Sequence, residues 1–139
     1  MKVLIVTDDA DMRRKLAEVL RWEGFSVSTA PDVEEGLARA TPDDPDFILF
    51  DSHIGGEHGL DFVDRYLGAG GSALLVLMAP YSDRELAVEA MKRGVYDYLP
   101  RPFTPDEALM TLRKAAEREK RRSRDMFGDF DTDVPKPES

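Results

Sequence analysis

The strongest constraint on what this chain folds into is a fivefold alternation. Five apolar runs of strand length recur, each followed by a segment of helical spacing. The runs are Lys2–Thr7, Phe25–Thr29, Asp46–Phe50, Ala73–Met78 and Val95–Leu99. Val3-Leu4-Ile5-Val6 and Leu74-Leu75-Val76-Leu77 lack in–out alternation, the pattern of strands covered on both faces. Between the runs, Met12, Leu16, Val19 and Leu20 share one helical face. Val33, Leu37 and Ala40 make a second stripe, Leu60, Val63 and Leu67 a third, and Ala87, Ala90 and Met91 a fourth. Asp32 with Glu35, and Ser82 with Glu85, are spaced as helix starts. Thr104-Pro105-Asp106-Glu107 is the clearest start: a cap, Pro at the first helical position and Glu at the third. Gly24 and Gly94 are expected to stop two of the helices.

A β-α unit repeated five times predicts a parallel sheet with helices on both faces, and right-handed crossovers make it doubly wound. In such sheets ligands sit at the carboxyl ends of the strands. The length of 139 residues suits one ordinary domain. It is expected over 1–122, followed by a disordered tail or linker over 123–139, where acids scatter around Pro135 and Pro137. Phe127 and Phe130 read as linker residues or a partner-docking motif.

Charge and composition narrow the function. There is no Cys, which excludes disulfides and thiolate metal sites. No apolar run approaches the ~18–20 residues of a membrane span. The N-terminus enters a strand-like run at once, so a cytoplasmic protein is expected. Residues 1–112 carry 11 Lys and Arg against 21 Asp and Glu, whereas 113–124 carry 7 against 2. An acidic body lacks the cations that neutralise nucleic-acid phosphates, so no direct nucleic-acid binding is expected. The basic stretch Arg113–Arg124 reads as a solvated helix face or a linker rather than a nucleic-acid contact.

Polar groups gather at the strand ends. The first strand ends at Thr7-Asp8-Asp9, the third at Asp51, the fourth at Met78-Ala79 and the fifth at Pro100-Arg101-Pro102. Carboxylates placed together repel, and a divalent cation with oxygen ligands relieves the repulsion. Mg²⁺ suits one or two carboxylates with a carbonyl, waters and a phosphoryl oxygen. Solvated turn acids are the plainer alternative, since Asp is common in turns. Acids at two neighbouring strand ends with a cation at another favour a functional site.

Over about residues 2–120 the chain resembles the response-regulator receiver family. The resemblance rests on Leu4-Ile5-Val6-Thr7-Asp8-Asp9 with Arg13, on Phe50-Asp51 followed by Gly59, and on Gly94 through Phe103. Ala87 through Gly94 and the basic helix after it look most like receivers of NtrC-family activators. The resemblance implies a flavodoxin-like (βα)5 sandwich with strand order 2-1-3-4-5. It implies that Asp51 accepts a phosphoryl group from a sensor histidine kinase or a small phosphodonor, a covalent step at a carboxylate. By the same resemblance Asp8, Asp51 and the His53 backbone carbonyl would hold Mg²⁺, with Asp9 outside the first shell. Tyr98 would be the mobile aromatic, and the Arg101-Pro102 bond would be cis. An output domain or partner protein, and pairing of two copies through 82–122, follow from it too, with at most self-dephosphorylation as enzymatic activity.

Three positions depart from the family pattern. Thr7 stands where the first acid of the pair belongs, Ala79 where the switch Thr or Ser belongs, and Arg101 where Lys belongs. Ala79 has no hydroxyl for a phosphoryl oxygen. Arg101 keeps the charge in a larger, planar group and is a candidate for a standing ion pair with Asp51. Gly55, where Pro is usual, is expected to loosen the loop after Asp51. His53 is a candidate for tuning acyl-phosphate hydrolysis or binding a metal, and His58 reads as an exposed loop residue. The Met residues and Trp22, at the end of the first helix, read as packing.

These departures sustain a second hypothesis, a pseudo-receiver that binds partners independently of phosphorylation. A third is an enzyme, because Asp9-Ala10-Asp11 after an apolar strand resembles the start of haloacid-dehalogenase phosphatases. The remaining spacing fits a receiver better and leaves no room for a cap domain. Flavin binding fits least, since Thr-Asp-Asp-Ala-Asp offers a phosphate no cradle.

Overall fold

The computed structural model describes residues 1–132, with side chains described for all of these but 42–43 and 122–132. The elements are β1 (Lys2–Val6), α1 (Ala10–Trp22), β2 (Ser26–Ala30), α2 (Val33–Asp43), β3 (Phe47–Asp51), β4 (His53–Ile54), β5 (Glu57–His58), α3 (Gly59–Gly68), β6 (Leu74–Pro80), α4 (Arg84–Lys92), β7 (Asp97–Arg101) and α5 (Pro105–Thr132). Five strands form one parallel sheet in the order β2-β1-β3-β6-β7, and β4 and β5 form a separate antiparallel hairpin. Counting only the sheet strands, this is the order 2-1-3-4-5 of the flavodoxin-like sandwich. The chain divides into two units, Met1–Ala108 and Leu109–Ser139. The first holds the whole sheet, α1 to α4 and the first turn of α5. The described part of the second is the continuation of α5 to Thr132.

The uniform apolar runs are explained by burial. Val3 to Val6, Phe47 to Phe50 and Leu75 to Met78 are all buried, on both faces of the central strands. One face of the sheet presents Leu4, Val6, Ile48, Phe50, Leu75 and Leu77 to a cluster with Val33, Phe62, Val63 and Ala90. Phe50 and Phe62 lie 5.9 Å apart by ring centroid, a favourable tilted pair.

Several expectations shift. The fifth strand starts at Asp97, because the Val95 N–H bonds back to the Ala90 carbonyl (3.1 Å) and closes α4 first. The buried stripe of α3 is Phe62, Val63 and Tyr66, while Leu60 and Leu67 are only half-buried beside it. Trp22 is 88% exposed: it lies two residues past buried Leu20, on the opposite side of the helix. Met91 is 41% exposed and Met110 also faces solvent, so only part of the Met set packs. Asp83, not Ser82, caps α4 by accepting from the Leu86 N–H (3.2 Å), because the helix starts one residue later than expected. At α5 the expected capping box is complete, with Thr104 N–H to Glu107 at 2.8 Å and Glu107 N–H to the Thr104 hydroxyl at 3.1 Å. That helix continues over 123–132, part of the stretch expected as a disordered tail or linker. Residues 133–139, and the Phe127 and Phe130 side chains, lie outside the described residues.

Candidate functional site at the carboxyl ends of the strands

The site is a consequence of register. Asp51 is the last residue of β3 and pairs with Met78 of β6, while Arg101 ends β7 opposite Pro80. Asp51 is thereby placed at the carboxyl end of the strand, as expected, and is only 4% exposed. A buried carboxylate requires partners. Asp51 has three: Oδ1 accepts from the Ser52 N–H (2.8 Å) and forms an ion pair with the Arg101 guanidinium, and Oδ2 accepts from the Thr7 hydroxyl (2.9 Å). Thr7 itself is fully buried, and its backbone N–H donates to the Ala30 carbonyl (3.1 Å).

Arg101 is under opposing influences. Burial pulls its guanidinium below the ordinary value, and the carboxylates of Asp9 and Asp8 act the other way. Its Nε is buried without a hydrogen-bond partner. The peptide bond to Pro102 is cis, as the resemblance implies.

The neighbouring acids are spoken for. Asp9 caps α1, accepting from the Met12 N–H (3.0 Å), and its own N–H donates to the Thr7 hydroxyl (3.1 Å). Asp8 accepts from the Gly55 N–H (2.9 Å). Arg13 donates to the Thr7 carbonyl (2.6 Å). Among the described residues, no three or more His, Cys, Asp or Glu side chains are grouped to hold a metal. The Asp8, Asp9 and Asp51 carboxylates all lie close enough to Arg101 to act on or pair with it, and a hard cation such as Mg²⁺ is typically bound through one or two carboxylates.

The loop after Asp51, which Gly55 is expected to loosen, forms a hairpin. Gly55 and Gly56, at φ +57° and +85°, form the two-residue turn of the β4–β5 hairpin. Proline at 55 would lack the N–H that Gly55 donates to Asp8. The Gly-Gly pair was the available signal for this hairpin. Gly59 closes the loop: its N–H donates to the Ser52 carbonyl (2.7 Å), and any Cβ there would collide with the Asp51 carbonyl oxygen. The spacing from Asp51 to Gly59 therefore has a steric reason, and Ser52 and Gly59 join the site that sequence reasoning outlined.

On the far side, Ala79 is fully buried within β6 and offers no hydroxyl. Tyr98 is half-buried and donates its hydroxyl to the Pro80 carbonyl (2.6 Å). Burial and then the Asp83 carboxylate raise its phenol above the ordinary range. His53 and His58 are exposed and face each other across the hairpin, 5.2 Å apart by ring centroid.

The comparisons with known proteins agree with this architecture. Residues 3–113 match the model of the response regulator receiver domain. The acid tolerance regulatory protein ActR of Sinorhizobium medicae is 34% identical over 110 residues, covering 79% of this chain and 57% of that protein. The DNA-binding response regulator MtrA of Mycobacterium leprae is 32% identical over 136 residues, 96% of this chain and 60% of that protein. The receiver domain of NtrX from Brucella abortus superposes with a TM-score of 0.77 at 29% identity, covering 83% of this chain and 98% of that one. The chain belongs to the response-regulator receiver family, with NtrC-like proteins among its relatives. It spans little more than half the length of the curated relatives ActR and MtrA.

Proposed function

We propose that this chain is a phosphoacceptor receiver in a phosphorelay, taking a phosphoryl group on Asp51 and passing its state to a partner by protein–protein contact. The observation that carries this is the placement of Asp51: a buried carboxylate at the end of a central strand, held by Thr7, Ser52 and Arg101. One Asp51 carboxylate oxygen attacks phosphorus of a phosphohistidine or acyl phosphate donor. The new P–O bond forms as the donor's bond to phosphorus breaks, and the donor keeps that electron pair. Asp8 and Asp51, with the His53 carbonyl, would hold Mg²⁺, which when bound offsets charge on the phosphoryl oxygens. Arg101 must swing from Asp51 towards the phosphoryl oxygens, and its unpartnered Nε supplies a free donor for them.

Ala79 supports an altered relay. Without a hydroxyl at that position, no side chain of β6 bonds the phosphoryl group, and the change travels through Arg101 and its strand β7. Tyr98 lies three residues earlier on that strand and already anchors the Pro80 carbonyl. The partner surface is expected over 82–122, where Val88 and Met91 of α4 are exposed. The partners are a sensor kinase and an output protein or a second copy of the chain, and the role is signalling rather than turnover.

The Arg101–Asp51 ion pair favours one competing reading, a pseudo-receiver in which Arg101 permanently occupies the acceptor. Radiolabelled acetyl phosphate with Mg²⁺ separates the two. A hydroxylamine-labile label on the parent, absent from Asp51→Asn, supports the phosphoacceptor. Label on neither, with both folded, supports the pseudo-receiver. Ala79→Thr combined with Arg101→Lys is expected to strengthen the phosphorylation-linked spectral change, and an unchanged response would contradict the roles given to those two positions.

A further inference from the structure

The hairpin beyond Asp51 places two imidazoles directly opposite each other. His53 pairs with His58 in the antiparallel register of β4 and β5, and such opposed side chains start ~5 Å apart at Cβ. Their ring centroids lie 5.2 Å apart at an interplanar angle of 55°. Two imidazoles held on one tetrahedral ion, with metal–nitrogen bonds of about 2.0–2.1 Å, have centroids roughly 5 Å apart. Both rings are exposed, so an ion reaches them from solvent. Although His58 stands at the N-cap position of α3, its side chain makes no capping hydrogen bond. Ser52 Oγ lies 3.4 Å from His53 Nδ1, the kind of outer contact that orients a ligating ring and leaves Nε2 for the ion.

We propose that His53 and His58 form a two-histidine site for a divalent late first-row transition ion, zinc being the working case. Imidazole nitrogen suits Zn²⁺, Ni²⁺ and Cu²⁺ and does not suit Mg²⁺, which takes oxygen donors. The site is thus chemically separate from the one at Asp8 and Asp51 and does not depend on Asp51 being phosphorylated. Among the described residues, no third side chain of ligand type is grouped with the pair, so water would complete the coordination. The rings open onto a cavity of about 480 Å³ that Asp61, Asp83 and Glu85 line together with Arg93, so the lining carries three acids against one base. Because the hairpin starts two residues past Asp51, an ion clamping β4 to β5 would stiffen the segment that carries the His53 carbonyl. Zinc would in this way bias the phosphoacceptor loop without touching Asp51.

Calorimetric titration of Zn²⁺ into the full chain tests this, using the parent, His53→Ala, His58→Ala and Asp51→Asn. One site is expected on the parent, with affinity reduced at least about tenfold in each histidine variant, since even outer partners of metal ligands carry that much. Asp51→Asn is expected to bind as the parent does. Both histidines are exposed, so thermal melts of the metal-free variants should match the parent and exclude misfolding as the cause. Equal binding by the parent and both histidine variants, or no binding by the parent, would overturn the proposal. Loss of binding in Asp51→Asn alone would overturn it too, by placing the ion at the acidic site.

Discussion

Two loops leave the same edge of the sheet, and they are held in different ways. The loop after β3 is fixed by backbone geometry: a Gly-Gly turn, the Asp8 bond to the Gly55 N–H, and Gly59 seated against the Asp51 carbonyl. The loop after β6 lacks glycine and combines backbone bonds, Tyr81 N–H to the Arg101 carbonyl (3.1 Å) and Asp83 N–H to the Pro80 carbonyl (2.9 Å), with the Tyr98 hydroxyl on the Pro80 carbonyl and the Asp83 cap on α4. Tyr81, between them, is exposed. Backbone constraints of the first kind leave few alternative arrangements. Single side-chain hydrogen bonds are worth about 1 kcal/mol each and can be exchanged. The acceptor side therefore has fewer alternative arrangements open to it than the β6 side. Thr7, Ala79 and Arg101 depart from the family pattern in side chains around the acceptor, whereas the fourth departure, Gly55, falls on the backbone turn that shapes its loop.

The comparison can be broken by substitution. Gly59→Ala should have the largest effect, since it drives a methyl into the Asp51 carbonyl. Overpacking typically costs about 1–3 kcal/mol and occasionally more, and a backbone collision belongs at the upper end. A thermal melt close to that of the parent would show that the loop yields easily and that the two sides are alike. Thr7→Val should come next. It removes the hydroxyl from a buried carboxylate, and hydrogen bonds to charged groups contribute about 1.5–3 kcal/mol. Chemical denaturation reads that loss, and an unchanged midpoint would mean that Asp51 relies on Arg101 and Ser52 alone. Tyr98→Phe should be smallest in stability, about 1 kcal/mol, with its effect concentrated in faster hydrogen exchange around Tyr81 and Ser82. Equal acceleration in the β4–β5 hairpin would erase the distinction between the loops.

Most of the fold was legible in the sequence because its signals are repeated and redundant. Five apolar runs with helical segments between them leave little choice of architecture, and unbroken runs such as Phe47-Ile48-Leu49-Phe50 marked the central strands. The misses have local causes. Trp22 was read as packing from its size, whereas its angle around α1 from Leu20 sets its exposure. Ser82 and Asp83 are adjacent cap candidates, and only the helix start decides between them. Within the site, the gathering of Thr7, Asp8, Asp51 and Arg101 was legible from strand ends. What each side chain bonds was not, because it depends on distances between strands far apart in sequence. Thr7 was read as a missing acid, and its hydrogen bond to Asp51 gives it a positive role. Gly55 is legible as a permissive residue, but the bond its N–H donates to Asp8 is not.

The central claim is that Asp51 remains available for phosphoryl transfer although Arg101 is paired with it. Intact mass after incubation with Mg²⁺ and acetyl phosphate tests it most directly, with Asp51→Asn alongside. The account predicts a single phosphoryl adduct on the parent and none on Asp51→Asn. An unmodified parent that is demonstrably folded, or an adduct of equal yield on Asp51→Asn, would contradict it.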